Sequence, residues 1–128
     1  MVWSLGTSAF LTLITLEAES HRRREWLAAH DSIWSSQLLS TEAARAAVHL
    51  GVDLEVVEGA LGAVSPVLSS ATTFFVAGRL EPWSLRSLDA LHLATALEIG
   101  DDLEGIVVYD ERLAGAARAA SLALVVPG

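Results

Sequence analysis

Three carboxylates stand in segments where they could share chemistry. Glu42 lies in Ser40-Thr41-Glu42-Ala43-Ala44-Arg45-Ala46-Ala47-Val48-His49-Leu50. Asp89 lies in Ser87-Leu88-Asp89-Ala90-Leu91-His92-Leu93-Ala94-Thr95-Ala96-Leu97, and Asp110 directly follows Gly105-Ile106-Val107-Val108-Tyr109. The first two segments have helical spacing, and the third reads as a strand covered on both faces. Glu42 and Asp89 are thereby expected in the first turns of helices, and Asp110 at a strand end. Parallel α/β sheets bind ligands beyond the carboxyl ends of their strands, so the three side chains can converge on one hard cation. Mg²⁺ and Mn²⁺ take oxygen ligands. A cation also reconciles carboxylates that otherwise oppose one another's ionisation. Each residue has a structural alternative. Asp110 can cap the helix after it, and Glu42 and Asp89 favour the positive end of a helix dipole. Spacing leaves both readings open.

The elements that must position these groups follow from periodicity. Residues 2–5 read as a strand, Gly6-Thr7-Ser8 as a turn, and 9–16 as a helix with Phe10, Leu13 and Ile14 inward. Ser20 can cap a second helix, and 32–35 form a second short strand. The alanine-rich helix 40–50 stops at Gly51. Asp53 caps the next helix, Pro66 confines 65–68 to an edge or strand start, and 69–77 is helical. After a loop broken by Pro82, Ser87 caps the central helix, with Leu88, Leu91 and Ala94 on its buried stripe and Gly100 as its stop. The strand 105–109, a helix over 112–120 and a last strand at 122–126 complete an α/β alternation with a parallel sheet.

The chain has 128 residues, 52% of them hydrophobic, which suits one domain over residues 1–128. The absence of cysteine rules out disulfides and thiolate metal sites. Sixteen carboxylates face eight arginines and no lysine, a formal charge of −8. A surface that bound nucleic acid everywhere would be basic. RNA or DNA would therefore have to be met through a local Arg patch or carboxylate-held metal ions. No apolar run approaches a membrane span, and no basic residue precedes the N-terminal one, so a cytoplasmic protein is expected.

Other candidates carry less. Gly6 and Ser8 lack the second glycine of a nucleophile elbow. His92 reads as a buried, hydrogen-bonded structural histidine. His21 and Glu25 have metal-ligand spacing but sit in an Arg-rich segment. Arg22, Arg23 and Arg24 form the only basic cluster, either a solvated helix face or a phosphate-contacting patch. The four tryptophans, Trp3, Trp26, Trp34 and Trp83, read as core or interface anchors. Leu68, Phe74 and Phe75 are the residues to watch for an exposed apolar surface.

Taken together, Leu5-Gly6-Thr7-Ser8-Ala9, Glu42 in its helix, Leu88-Asp89-Ala90-Leu91-His92-Leu93-Ala94-Thr95-Ala96, Tyr109-Asp110-Glu111-Arg112-Leu113 and the final Pro127-Gly128 resemble the PIN-domain ribonucleases. The resemblance covers nearly the whole chain and is greatest to the VapC-type toxins of bacterial toxin–antitoxin pairs. It implies a PIN-like three-layer α/β/α fold with a central, mostly parallel sheet. It also implies a Mg²⁺- or Mn²⁺-dependent endoribonuclease, a VapB-type antitoxin partner, an RNA substrate and a homodimer. Of the family's four acidic metal ligands, three map to Glu42, Asp89 and Asp110. The fourth position, directly before Thr7-Ser8, holds Gly6, which offers no side-chain oxygen. The hydroxyl residue often found two places before the last Asp is replaced by Val108. Thr7 and Ser8 are supporting hydroxyls that could reach a metal-bound water, with helix capping the preferred role for Ser8. The resemblance therefore implies an impaired nuclease. The alternative is an inactive PIN-like protein that only binds antitoxin or RNA.

Overall fold

Five short parallel strands form the middle layer of the computed structural model, which describes residues 2–15 and 20–125. They are β1 (Val2–Leu5), β2 (Ile33–Ser36), β3 (Ser65–Val67), β4 (Leu103–Val107) and β5 (Leu124–Val125), in the order β3-β2-β1-β4-β5. β1 is central, pairing Ser4 with Trp34 on one side and with Ile106 on the other. Pro66 lies on the edge strand β3, where a missing N–H costs no ladder bond.

The helices are α1 (Thr7–Ile14), α2 (Ser20–Ala28), α3 (Leu38–Leu50), α4 (Leu54–Leu61), α5 (Ala71–Ala77), α6 (Ser87–Ile99) and α7 (Glu111–Ala119). Side chains alternate across a strand, so β4 feeds two cores. Val107 joins Leu5, Phe10, Ile33, Leu39 and Ala43 beneath α1, α3 and α4. Ile106 and Val108 join Leu93, Ala96, Leu113 and Ala117 beneath α6 and α7. A satellite cluster of Ala77, Ala90, Leu91 and Ala94 packs α5 on α6. This is the three-layer α/β/α arrangement the sequence led us to expect, with an entirely parallel sheet.

Local chemistry sets the element ends. Gly51 closes α3 in a left-handed conformation at φ 72°, which glycine adopts without a Cβ penalty. Asp53 caps α4 through the Glu55 N–H, as expected. Ser70 and Thr73 form a reciprocal capping box on α5, and the β-branched Thr73 is tolerated because its hydroxyl is spent there.

Several expectations are corrected. α1 begins at Thr7 rather than after a Gly6–Ser8 turn. The N-cap of α6 is Arg86, not Ser87, with no side-chain cap bond. Its buried stripe begins at Ala90, and Leu88 is 46% exposed. β4 spans Leu103–Val107 rather than 105–109, because β1 turns into α1 after pairing Leu5 with Val107. β5 is shorter than its expected range, and residues 126–128 lie outside the described part of the chain. The tryptophans divide. Trp3 and Trp26 pack edge-on at 5.3 Å, with His30 stacked on Trp26, whereas Trp34 and Trp83 are exposed.

Gly105 marks a close approach. A Cβ built there would stand 2.8 Å from Trp3 Cζ3 and 2.9 Å from the Ala123 carbonyl oxygen. The carbonyl belongs to the segment entering β5 and cannot yield without spoiling its bond from Ile106 N–H. Gly105→Ala is expected to destabilise the fold by about 1–3 kcal/mol, read as a lower urea midpoint with an unchanged denaturant slope.

Candidate metal centre

The carboxyl ends of β1 and β4 are tied together by Gly6 N–H donating to the Val107 carbonyl at 3.0 Å. Gly6 is the N-cap residue of α1, at φ −81° and ψ 160°, a conformation open to any residue. Thr7 follows as the first helical residue. α3 starts two residues earlier than expected, where Ser36 Oγ accepts the Leu38 N–H. Glu42 therefore lies in the second turn, and side chains rather than the helix terminus hold it. Thr7 Oγ1 donates to Glu42 Oε1 at 3.1 Å, and His92 Nε2 lies 2.7 Å from the same oxygen.

Asp89 occupies the first turn of α6, as expected. Its pKa is raised above the ordinary value of 3.8, first by burial and then by the charges of Asp110 and Glu42, against the opposing pull of His92 and Arg86. Asp110 is the N-cap of α7, its Oδ1 accepting the N–H groups of Arg112 at 2.7 Å and Leu113 at 3.3 Å. That capping is the structural alternative foreseen for it. The charge of Asp110 nonetheless reaches Asp89, so one residue both caps a helix and adds negative field to the site.

Three acidic residues from three different elements thus stand near enough for Asp110 and Glu42 to bear on the ionisation of Asp89. Among the described residues, no three His, Cys, Asp or Glu side chains are drawn together tightly enough to enclose an ion as they stand. The donor chemistry nevertheless fits a hard divalent cation: oxygen donors only, with Asp89 disfavoured as an anion by burial first and then by its two acidic neighbours. Gly6 brings no side chain to this edge. A Cβ there would lie 3.2 Å from Val108 Cγ1, 3.5 Å from Leu113 Cδ2 and 3.5 Å from the Val107 carbonyl oxygen. A side chain fits once the Val108 methyl gives by a few tenths of an ångström.

The supporting residues divide. Thr7 is joined to Glu42, whereas Ser8 Oγ is buried without a hydrogen-bond partner, so the capping role expected for Ser8 is not seen. Arg24 Nη1 donates to the Leu13 carbonyl at 3.2 Å, in the last turn of α1. That is about 9 Å along the helix from Thr7, so Arg24 is not drawn to the acidic edge. Arg22 is exposed, and the side chains of Arg23 and His21 lie outside the described residues. His92 is buried and hydrogen-bonded, as expected, but its place against Glu42 was not anticipated. Its position three residues after Asp89, on the same helix face, was the available signal.

The raised pKa of Asp89 carries a stability consequence. The native chain holds this proton more tightly than the unfolded chain. The associated stability is therefore fully present below 3.8 and is lost as pH rises through the raised native value. Asp89→Asn removes that loss. In the absence of divalent ions it is expected to be more stable than the parent at pH 7, with an advantage that grows across this window and then levels off. Urea midpoints from pH 3 to pH 8 check this, and a less stable variant at pH 7 would contradict it.

The PIN domain family matches residues 5–119. Ribonuclease VapC46 of Mycobacterium tuberculosis is 34% identical over 124 residues, covering 96% of this chain and 95% of its own. Ribonuclease VapC35 of the same species is 38% identical over 129 residues, covering 97% and 96%. The crystal structure of Mycobacterium tuberculosis VapC20, a toxin that cleaves the sarcin–ricin loop, aligns with a TM-score of 0.77 over 98% of this chain and 99% of that one. At 16% identity that likeness is one of fold. The matched span contains Gly6, Glu42, Asp89 and Asp110 in order, and on both counts the chain belongs to the PIN domain family, among its VapC-type proteins.

Proposed function

We propose that this chain is a VapC-type toxin whose site is built to hydrolyse RNA phosphodiester bonds with Mg²⁺ or Mn²⁺, and that Gly6 impairs it. The observation that carries this reading is that α6 bears Asp89 and, one turn on, His92, whose Nε2 lies 2.7 Å from Glu42 Oε1 of α3, while Asp110 caps α7 just after β4; burial first, then the charges of Asp110 and Glu42, disfavour Asp89 as an anion. Asp89 and Asp110 would hold the ion, with Glu42 beside them. A bound ion would acidify water and offset the charge that develops on the phosphate in the transition state. The chain's own residues supply the rest. Thr7 and His92 fix Glu42, and the N–H groups at the start of α7 fix Asp110. Position 6, on the same edge, contributes no side-chain oxygen.

The relatives named VapC support an antitoxin of the VapB type as partner, with RNA as substrate. Homodimerisation fits the exposed Leu68, Phe74 and Phe75 and the Trp83 indole, which is 73% exposed. Among the described residues, no helix is long and apolar enough to cross a membrane, and the cytoplasm is the compartment proposed. One observation favours the second reading, a binding protein that no longer cuts: Glu42 Oε1 is already satisfied by two neighbours, and no carboxylate stands at position 6.

The test is cleavage of total bacterial RNA by the native chain in Mg²⁺ or Mn²⁺. Slow cleavage that EDTA abolishes and Asp89→Asn lacks is the expected result. RNA or antitoxin retained without cleavage in either metal would establish the binding reading instead.

A further inference from the structure

We infer that His92 is a positioning residue whose Nε2–H holds Glu42 Oε1 and so leaves Oε2 as the oxygen free to act as a ligand. The inference rests on the reading of Glu42 as part of an ion site. His92 is 3% exposed, on a helix buried from Ala90 to Ala96. Its Nε2 lies 2.7 Å from Glu42 Oε1 and 2.9 Å from Thr7 Oγ1, and Thr7 Oγ1 lies 3.1 Å from that same Oε1.

Proton counting assigns the donor. A carboxylate brings no proton, the threonine hydroxyl brings one, and a neutral imidazole carries one on either nitrogen. If it sat on Nδ1, the lone pair of Nε2 would face a carboxylate lone pair at 2.7 Å, a repulsive contact in a buried site. With the proton on Nε2, both Thr7 and His92 donate to Oε1, and the 2.9 Å approach between them follows from their sharing one oxygen. The tautomer is thus fixed by the geometry of the network. Without His92, a long carboxylate side chain would keep a single tether, from Thr7. Carboxylates that ligate metals are themselves commonly held by hydrogen bonds, and losing such a partner costs about 10- to 100-fold in metal affinity. α6 would then serve the site twice, through Asp89 and through His92 one turn on.

Two measurements test this. In the native chain without divalent ions, imidazole ¹H–¹⁵N spectra are expected to show His92 protonated at Nε2, with a signal that Glu42→Leu alters. A His92 carrying its proton only on Nδ1 would overturn the assignment. In a Gly6→Asp background, Mn²⁺ titration calorimetry is expected to show His92→Leu weakened about 10- to 100-fold, while His92→Gln, whose amide nitrogen can replace Nε2, stays close to the parent. Affinity unchanged in His92→Leu, or lost equally in both variants, would overturn the positioning role. Thermal melts identify an unfolded His92→Leu. Thr7→Val, which removes the second donor to Oε1, then takes its place beside His92→Gln, and full affinity in Thr7→Val would overturn the claim that donors on Oε1 position Glu42. If Gly6→Asp binds no Mn²⁺ at all, the ion reading fails, and the imidazole spectra alone decide whether His92 holds Glu42.

Discussion

Replacing Gly6 by Asp is expected to raise divalent-ion-dependent RNA cleavage by about 100-fold or more, the scale on which one well-placed electrostatic group alters a rate. Three features of position 6 support this. Its φ and ψ are those of an ordinary N-cap, so no backbone strain opposes a side chain. The new Cβ meets only the yielding Val108 methyl inside 3.4 Å. Asp is also a preferred N-cap, and α1 now has no side-chain cap. Placing a fourth carboxylate near Asp89 and Asp110 costs electrostatic energy without metal, and a divalent cation offsets it. The variant should therefore melt close to or below the parent in EDTA and clearly above it in Mn²⁺. Single-turnover cleavage with and without EDTA, beside these melts, is the check. Equal rates in parent and variant would mean that three carboxylates suffice and that Gly6 is no impairment.

Phe10→Ala is expected to cost about 3–5 kcal/mol. Phe10 has no exposed surface and fills the layer between α1 and the sheet, in one cluster with Leu5, Ile33, Leu39, Ala43 and Val107. Much of that space cannot collapse, because α1 is fixed at its first turn by the Gly6 N–H bond to the Val107 carbonyl and by Thr7 on Glu42. A loss of this size takes a large share of the roughly 5–15 kcal/mol that holds a domain folded. The melting temperature should fall by about 10 °C or more. Phe10 also lies one turn after Thr7, so the variant should bind divalent ions more weakly even where it remains folded. A fall of only a degree or two would mean that the α1 layer repacks.

The α/β alternation was legible because strong periodic signals agree with it: the apolar run before Asp110, the alanines of α3 and the glycine stops. The acidic trio was legible as residue types at helix starts and a strand exit. Its geometry was not. Glu42 moved out of the first turn because Ser36 initiates α3 two residues early, a side-chain-to-backbone bond with no periodic signature. β4 ended at Val107 because its neighbour β1 turns into a helix, which is a property of the pairing rather than of residues 108 and 109. Burial of His92 was foreseen, yet its bond to Glu42 joins positions 50 apart, and its spacing from Asp89 on α6 pointed to the acidic site without naming Glu42 as the partner. Trp34 and Trp83 show the converse failure. Hydrophobicity left core and interface anchoring open for them, and the fold, which leaves both exposed, excludes the core role only.

The most direct measurement is anomalous diffraction from crystals of the Gly6→Asp protein grown with saturating Mn²⁺. A peak is expected within about 2.3 Å of carboxylate oxygens of both Asp89 and Asp110, lost when Asp89→Asn is added. A peak away from these residues, or none at saturation, would contradict the claim that this acidic edge is a metal centre.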